Sequence, residues 1–307
     1  MLRFMLRRLG ISFVVVLGIT LLVFLVMNVI PGDPVRLLMG RYMEQTAYTA
    51  IRAELGLDQP WWQRYLLFLR QLAALDLGRS FVQHREVTSV IRDAFPITLR
   101  LGVTGIAMAL LIGIPAGVLA AVRKNTLVDR GVNLFSYLGI SAPAFLLGLL
   151  LQMFFALTLG ILPVSGIGDG GWVYYFLPGL AVALPCAAVY ARMMRASMLE
   201  VLQQNYMVAA TGYGLPQRRV IWRHGFKNAV LPLVTQGGMD FAGLLGGAVI
   251  TESVFNLPGL GRVILTAVLQ RDYPVVQGGV LVLAAAFVTV NLLVDLFYAW
   301  LDPRIRY

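Results

Sequence analysis

Six long apolar stretches, 9–30, 99–122, 132–162, 176–191, 231–251 and 275–301, set the terms on which this chain can fold. A hydrocarbon core of ~30 Å takes about 20 apolar residues in a helix. Lipid also forces each spanning segment to satisfy its own backbone, which selects helices over irregular chain. Of 307 residues, 59% are hydrophobic and only 13% charged, where soluble domains carry about 25% charged residues; mean hydropathy is +0.77. The reading is an all-α polytopic membrane protein with six transmembrane helices. The fourth stretch is the shortest and holds Pro178 and Pro185. The third is long enough either to tilt or to break near Pro143. No segment reads as a strand, and no internal repeat is visible.

The positive charges locate the two faces. Arg3, Arg7 and Arg8 precede the first stretch; Arg123, Lys124 and Arg130 follow the second. Arg192, Arg195, Arg218, Arg219, Arg223 and Lys227 follow the fourth, and Arg304 and Arg306 close the chain. The acids among them are Asp129, Glu200 and Asp302. The 163–175 loop has no basic residue, and the 252–274 loop has only Arg262 and Arg271. Basic short loops stay inside, so both termini are expected in the cytoplasm. The net charge of +10 therefore belongs to topology and gives no reason to expect nucleic acid. The first stretch exceeds a signal-peptide core and is followed by "MNVIPGDP", without a small-x-small cleavage site; it is read as a retained helix. Residues 31–97, with Leu66, Leu69 and Leu72 near Trp61 and Trp62, read as a small helical extracytoplasmic region. Within it, "RYLLFLRQLAALDLG" either lies along the outer membrane surface or packs as an ordinary helix. The expected division is 1–97, an N-terminal transmembrane helix plus this region, and 98–307, a five-helix core carrying a cytoplasmic loop at 192–228.

Residue types exclude several chemistries. His84 and His224 fall outside the stretches and on opposite sides, which argues against an intramembrane Ser-His or zinc enzyme. The two lysines, Lys124 and Lys227, stand in no Gly-Lys-Ser/Thr context, so there is no Walker A loop. Any ATP and Mg²⁺ belong to partner subunits, and no cofactor or metal is expected on this chain. Cys186 is the sole cysteine, so no internal disulfide can form. What remains is a pore or carrier. Polar residues in or at the edges of the stretches are Arg100, Gln152, Gln236, Asp240, Glu252, Asn291 and Asp295. An ionisable group there marks a pathway or a buried pair. Gln236 and Asp240 are the candidates for the path, and Asp295 is read as a structural partner for a basic residue such as Arg304. Gly243 and Gly247 have the GxxxG spacing of close helix packing, and Gly113, Pro115 and Gly117 suggest a bend in the second span.

The segment "AATGYGLPQRRVIWRHGFKNAVLPL" (209–233) is basic and sharply punctuated. A short helix is expected to end at Gly214, suited to a left-handed cap. A second starts near Pro216, is amphipathic through Val220, Ile221 and Phe226, and meets Pro232 at the next span. This is a helix–turn–helix hairpin, able to anchor to lipid headgroups or to transmit motion from a docked partner.

Here the chain resembles the inner-membrane permease subunits of bacterial ABC importers, in the dipeptide/oligopeptide/nickel branch. Val208, Ala209, Ala210 and Gly214, with Leu231-Pro232, occupy the positions of that family's EAA motif; Val208 replaces the acidic residue. "ELGLDQPWWQRY", "LDLGRSF", "ESVFNLPGLGRVILTAVLQRDYPVVQGGVL" and "NLLVDLFYAWLDPRIRY" resemble the branch in order along nearly the whole chain. The resemblance implies a multi-pass bacterial inner-membrane subunit that pairs with a homologous second permease, two ABC ATPases and an extracytoplasmic substrate-binding protein. It implies an ATPase-coupling contact at 206–215 (Tyr206, Val208, Ala209, Ala210, Gly214, Leu215), flanked by Arg218 and Arg219, with the 123–131 loop as a second contact. It also implies an extracytoplasmic mouth loop from Glu252 to Asp272, turned by Pro258, Gly259 and Gly261, with Arg262, Arg271 and Asp272 pinning it by ion pairs. The cargo expected is a dipeptide or oligopeptide; nickel or other metal chelates and glutathione are the alternatives. From another class, an ATP-independent secondary transporter stands against this, but would show repeated halves.

Overall fold

The computed structural model describes residues 2–29, 48–49 and 58–301; expectations for Asp302, Arg304, Arg306 and the 30–47 stretch lie outside them. The described chain is helical: α1 (Leu2–Val29), α2 (Trp61–Ala73), α3 (Val87–Val122), α4 (Leu127–Ser141), α5 (Ala144–Leu151), α6 (Val173–Leu202), α7 (Asn205–Gly212), α8 (Gln217–Arg219), α9 (Phe226–Ala229), α10 (Leu231–Gly247), α11 (Val249–Val254), α12 (Leu260–Gln270) and α13 (Tyr273–Leu301). π-Helical turns extend α5 over Gln152–Thr158 and join α8 to α9 over Val220–Gly225. Among the described residues there is no strand, and the one bridge, between Arg79 and Glu86, is isolated.

Among the described residues, four helices are long and apolar enough to cross a membrane: Leu6–Val26, Val87–Val122, Val173–Leu202 and Tyr273–Phe297. A fifth arises if Leu127–Ser141 and Ala144–Thr158, bent by 106°, count as one span. The bend falls at Ala142–Pro143, where the sequence offered a break. Stretch 231–251 is divided instead: α10 ends after 17 residues and Ala248 separates it from α11. At 1.5 Å per residue α10 reaches about 25 Å, short of a full core. The fourth stretch is far longer than its apolar run implied. α6 runs 30 residues through Pro178 and Pro185, because proline removes one N–H that packed neighbours in a helical bundle can compensate.

The chain clusters into two compact units, 1–97 with 259–288 and 98–258 with 289–307. In the first, Val87, Val90, Ile91 and Ala94 of α3 pack on Leu260 and Ala267 of α12 and on Val275 and Val276 of α13. This burial explains why α3 starts well before residue 99. In the same unit α2 lies on α1, with the Phe24 ring 5.3 Å from Tyr65 and 5.9 Å from Phe68.

In the second unit the centre is α6, covered by α3 and α4. A Cβ built on Gly113 would stand 2.7 Å from the Ala187 carbonyl, one on Gly117 2.5 Å from the Ala191 carbonyl, and one on Gly139 2.6 Å from Ala188 Cβ. These glycines exist to let backbones touch. At Gly113-x-Pro115-x-Gly117 α3 is continuous helix, and its glycines form a contact face. Among the described residues a Cβ on Gly243 meets nothing within 4 Å. On α10 the tight approach belongs to Gly238, against Val294.

These distances predict a sharp contrast between two glycines. Gly117→Leu should cost about 3 kcal/mol or more, the upper end of core overpacking. Gly131→Ala, whose added methyl meets nothing within 4 Å on the helix α4, should be neutral or stabilising by about 0.5–1 kcal/mol. Thermal unfolding of the purified variants in detergent measures both.

Candidate functional site

The punctuated segment forms the hairpin its sequence demands. α7 ends in a turn where Gly214 takes φ +76°, a conformation that costs glycine nothing. Its N–H bonds the Thr211 carbonyl at 3.0 Å, and the Leu215 N–H reaches the Ala210 carbonyl. Pro216 then caps α8. The two arms share a small core of Met207, Ala210 and Val220, closed by Val201, Leu202 and Leu215. Gly225 completes it, its missing Cβ 3.3 Å from Met207 Cε and 3.5 Å from Met198 Cε. Asn228 Nδ2 donates to Tyr206 Oη at 3.0 Å and ties the far ends together. The hairpin is thus a folded knob seated on the end of α6.

What the knob presents outward is apolar at its tip. Val208 is 65% exposed and Tyr213 87% exposed, and Tyr206, Ala209 and Gly214 are exposed as well. Ala210 faces inward. On the second arm Pro216, Arg218, Arg219 and Trp222 line an open groove. All eight predicted coupling residues are therefore brought into one hairpin, in two roles: Ala210 and Leu215 hold it together, and the others face out.

The anchor of the knob escaped the sequence reading. Asp129, buried in the first turn of α4, accepts from Arg195 Nε at 2.5 Å and Nη2 at 2.8 Å. It also accepts from the Asn125 N–H and from Asn133 Nδ2, both at 2.9 Å. A two-pronged Arg–carboxylate pair fixes orientation as well as distance. It fastens the 123–131 turn to α6 ten residues before α7 begins. The signal was an acid in the first turn of a helix, in a loop otherwise basic.

The two path candidates also meet. Gln236 Nε2 donates to Asp240 Oδ1 at 2.9 Å, and the buried Tyr190 hydroxyl donates to Oδ2 at 2.8 Å. Tyr190 was not singled out in the sequence, because a tyrosine in an apolar helix looks like packing.

The mouth segment divides between the two units. In the second, Glu252 is fully buried in α11 and accepts from Thr98 Oγ1 at 2.6 Å, while the adjoining loop is tied in by Gly166 N–H to the Phe255 carbonyl at 2.8 Å. Gln152 donates to the Val164 and Val254 carbonyls. In the first, Gly259 caps α12, Arg262 lies in its first turn, and Arg271 ends it in the left-handed region. Asp272 is buried and accepts from Ser80 Oγ and, at 3.0 Å, from the Phe81 N–H. The turn after Glu252 uses Asn256, not glycine, at positive φ. Gly261 is helical and buried in α12, so it serves packing there and not a turn.

A helical membrane subunit with a folded hairpin between α6 and α10, and no P-loop in its sequence, is the architecture of an ABC importer permease. Comparison with known proteins agrees along the chain. Residues 113–307 match the family described as "Binding-protein-dependent transport system inner membrane component", and residues 1–102 match the N-terminal region of the same transport-system membrane components. The chain belongs to this family: it is a multi-pass inner-membrane permease of a bacterial ABC importer, without an ATPase domain of its own. It is 41% identical to the glutathione transport system permease protein GsiC of Pectobacterium atrosepticum, over 100% of both chains. It is 40% identical to GsiC of Escherichia coli K12 over 94% of each. In fold it is similar to a chain of the inward-facing MetNI methionine ABC transporter, with TM-score 0.56, 20% identity and 69% of this chain and 96% of that one covered. A chain of an amino acid ABC transporter gives TM-score 0.52 at 16% identity, covering 71% and 95%. Importers of this family work with ATPase and binding-protein partners.

The Asp129–Arg195 pair yields a test. Arg195→Ala leaves a buried carboxylate without its cation and should cost about 3 kcal/mol. The double variant with Asp129→Ala should cost clearly less than the two single losses summed, because the orphaned charge is gone. Melting temperatures of the four proteins in detergent complete the cycle.

Proposed function

We propose that this chain is the permease subunit of an importer for glutathione and closely related short peptides, not for dipeptides and oligopeptides at large. The observation that carries this is the 41% identity to a glutathione permease over the whole of both chains. On this reading the chain crosses the membrane six times, α10 with α11 together forming one span, and both termini lie in the cytoplasm. It pairs with a homologous second permease, with one ATPase held under each, and receives its cargo from a binding protein outside. ATP and Mg²⁺ reside on the ATPases.

Coupling is assigned to the α7–α9 hairpin. Two large apolar side chains at the tip of a basic loop are costly in water and cheap in a partner's groove, and Arg218 and Arg219 flank them. The 123–131 turn, pinned to α6 by Asp129 and Arg195, is positioned as a second contact. The extracytoplasmic mouth is assigned to 252–272. In the path, Asp240 offers a carboxylate, oriented by Tyr190 and Gln236, to the substrate's ammonium end; a γ-glutamyl peptide carries one.

Uptake of radiolabelled glutathione decides the cargo. The chain is expressed with its own ATPases and binding protein in cells lacking glutathione import. Saturable uptake competed by unlabelled glutathione, and untouched by excess dialanine, is expected; equal competition by dialanine returns the cargo to dipeptides. Asp240→Asn should raise KM about tenfold for free-amine substrate, about 1.4 kcal/mol, and leave N-acetylated substrate unchanged. For coupling, Val208→Glu with Tyr213→Ala alters only exposed positions. Loss of co-purifying ATPases with the permease still folded is the expected result, and unchanged recovery places the docking surface elsewhere.

A further inference from the structure

α4 and α6 run antiparallel, and two contacts fix how far one is displaced along the other. Asp129 meets Arg195 towards one end, and a Cβ on Gly139 would touch Ala188 Cβ towards the other. Asp129 and Arg195 thus mark the facing line on each helix. In an antiparallel pair, positions rotated the same way from that line share one side of the contact. Successive residues turn by about 100°, which puts Phe135 on one side, against the cluster that α6 shares with α3. Arg130 and Tyr137 of α4 and Arg192 of α6 lie on the other side. The Tyr137 hydroxyl interacts electrostatically with Arg195, in agreement with that placement.

This outer side is bare and cationic. Arg130 and Arg192 are exposed, and so is Tyr137. Neither guanidinium has an acidic partner among the described residues. Asp129, the acid at hand, is buried and spent on Arg195. Glu200, the next acid along α6, is eight residues beyond Arg192. One turn on from Arg130, the same arc of α4 carries exposed Leu134.

The level of the two cations follows from α6. Arg192 directly succeeds the apolar run 176–191, and α6 continues ten residues further to Leu202, about 15 Å, before the hairpin begins. Asp129 is level with Arg195, three residues past Arg192, so Arg130 and Arg192 differ in height by about 5 Å. The polar layer on each face of a ~30 Å hydrocarbon core is about 5–8 Å deep. Both guanidinia fit within that layer, and the hairpin tip stands beyond it. A water-soluble subunit seated on the hairpin meets the chain further out; the layer itself is filled by lipid headgroups.

We propose that Arg130 and Arg192, with the Tyr137 hydroxyl, hold the phosphate of an anionic phospholipid in the leaflet on the hairpin's side of the membrane, its chains lying against Leu134 and the Tyr137 ring. Guanidinium groups suit a phosphodiester because their paired N–H donors match its oxygens. The lipid closes α4 onto α6 from the side that α3 leaves open.

Native mass spectrometry of the complete transporter, ATPases included, reads bound lipid directly. The complex is titrated with phosphatidylglycerol and with phosphatidylcholine of the same chains, and phosphatidylglycerol should be retained in preference. Arg130→Gln and Arg192→Gln should each lower that preference about fivefold; both side chains are exposed and unpaired, so the fold survives. Arg123→Gln with Lys124→Gln, which removes the same charge from the adjoining turn, should leave it unchanged. Equal loss in the two double variants overturns the proposal, because net charge alone then accounts for the binding. An undiminished preference in the Arg130→Gln, Arg192→Gln protein overturns it as well. So does displacement of the lipid by millimolar inorganic phosphate, which assigns the site to a soluble anion. Retention by the permease pair alone, lost once the ATPases are bound, gives the site to an ATPase contact instead. Transport plays no part in the readout, so a different cargo leaves this result standing.

Discussion

Helices surrounded by lipid gain nothing by burying leucine against leucine, so the crossing of α3 and α4 over α6 must be held by close backbone approach. Gly113, Gly117 and Gly139 supply it, each placed where a single methyl would collide with α6 at under 3 Å. Dispersion contacts fall off steeply with distance, and shaving side chains from the crossing brings many atoms into range at once. The long unbroken course of α6 past two prolines depends on this packing. So does everything α6 carries at its end.

α6 is the element on which the functional features converge. Tyr190 reaches Asp240 from its middle, Arg195 reaches Asp129 one and a half turns later, and Met198, Val201 and Leu202 form the seat of the hairpin. A single helix with a polar contact at mid-length and a folded hairpin at its end is, on the proposed function, a means of linking two distant events. The salt bridge adds a lateral brace. Because it is two-pronged and backed by the Asn125 amide and Asn133, it resists rotation of α6 as well as translation.

Much of this was legible in the residues. The hairpin could be read from Gly214, Pro216 and the spacing of Val220 and Phe226, because glycine at a left-handed turn and proline at a helix start act locally. The break at Pro143 could be read for the same reason. What could not be read depended on a second segment far away in sequence. Pro178 and Pro185 looked like faults until α3 was laid against them. The contact role of Gly113 and Gly117 was hidden because their partner surface is some 75 residues on. Asp129 and Arg195 were each visible as charges, yet nothing local says that residues 66 apart will meet. Val208 and Ala210 were placed in the motif by position, while the outward aim of Val208 and the inward aim of Ala210 came only with the core that Ala210 shares with Met207 and Val220.

The joint between rod and knob is made of unusual material. Met198 and Met207 close on Gly225 from two sides, and a thioether chain with three rotatable bonds fills an irregular gap in many shapes at little cost. Branched Val201 and Leu202 seat one side of the joint, and the methionines fill the side at Gly225. The hairpin is stiff within itself, through the Tyr206–Asn228 tie and its own small core, but compliant where it is mounted. On the proposed coupling role, such a mount would let the hairpin follow a partner's groove through a change of tilt without tearing loose from the helix that bears it.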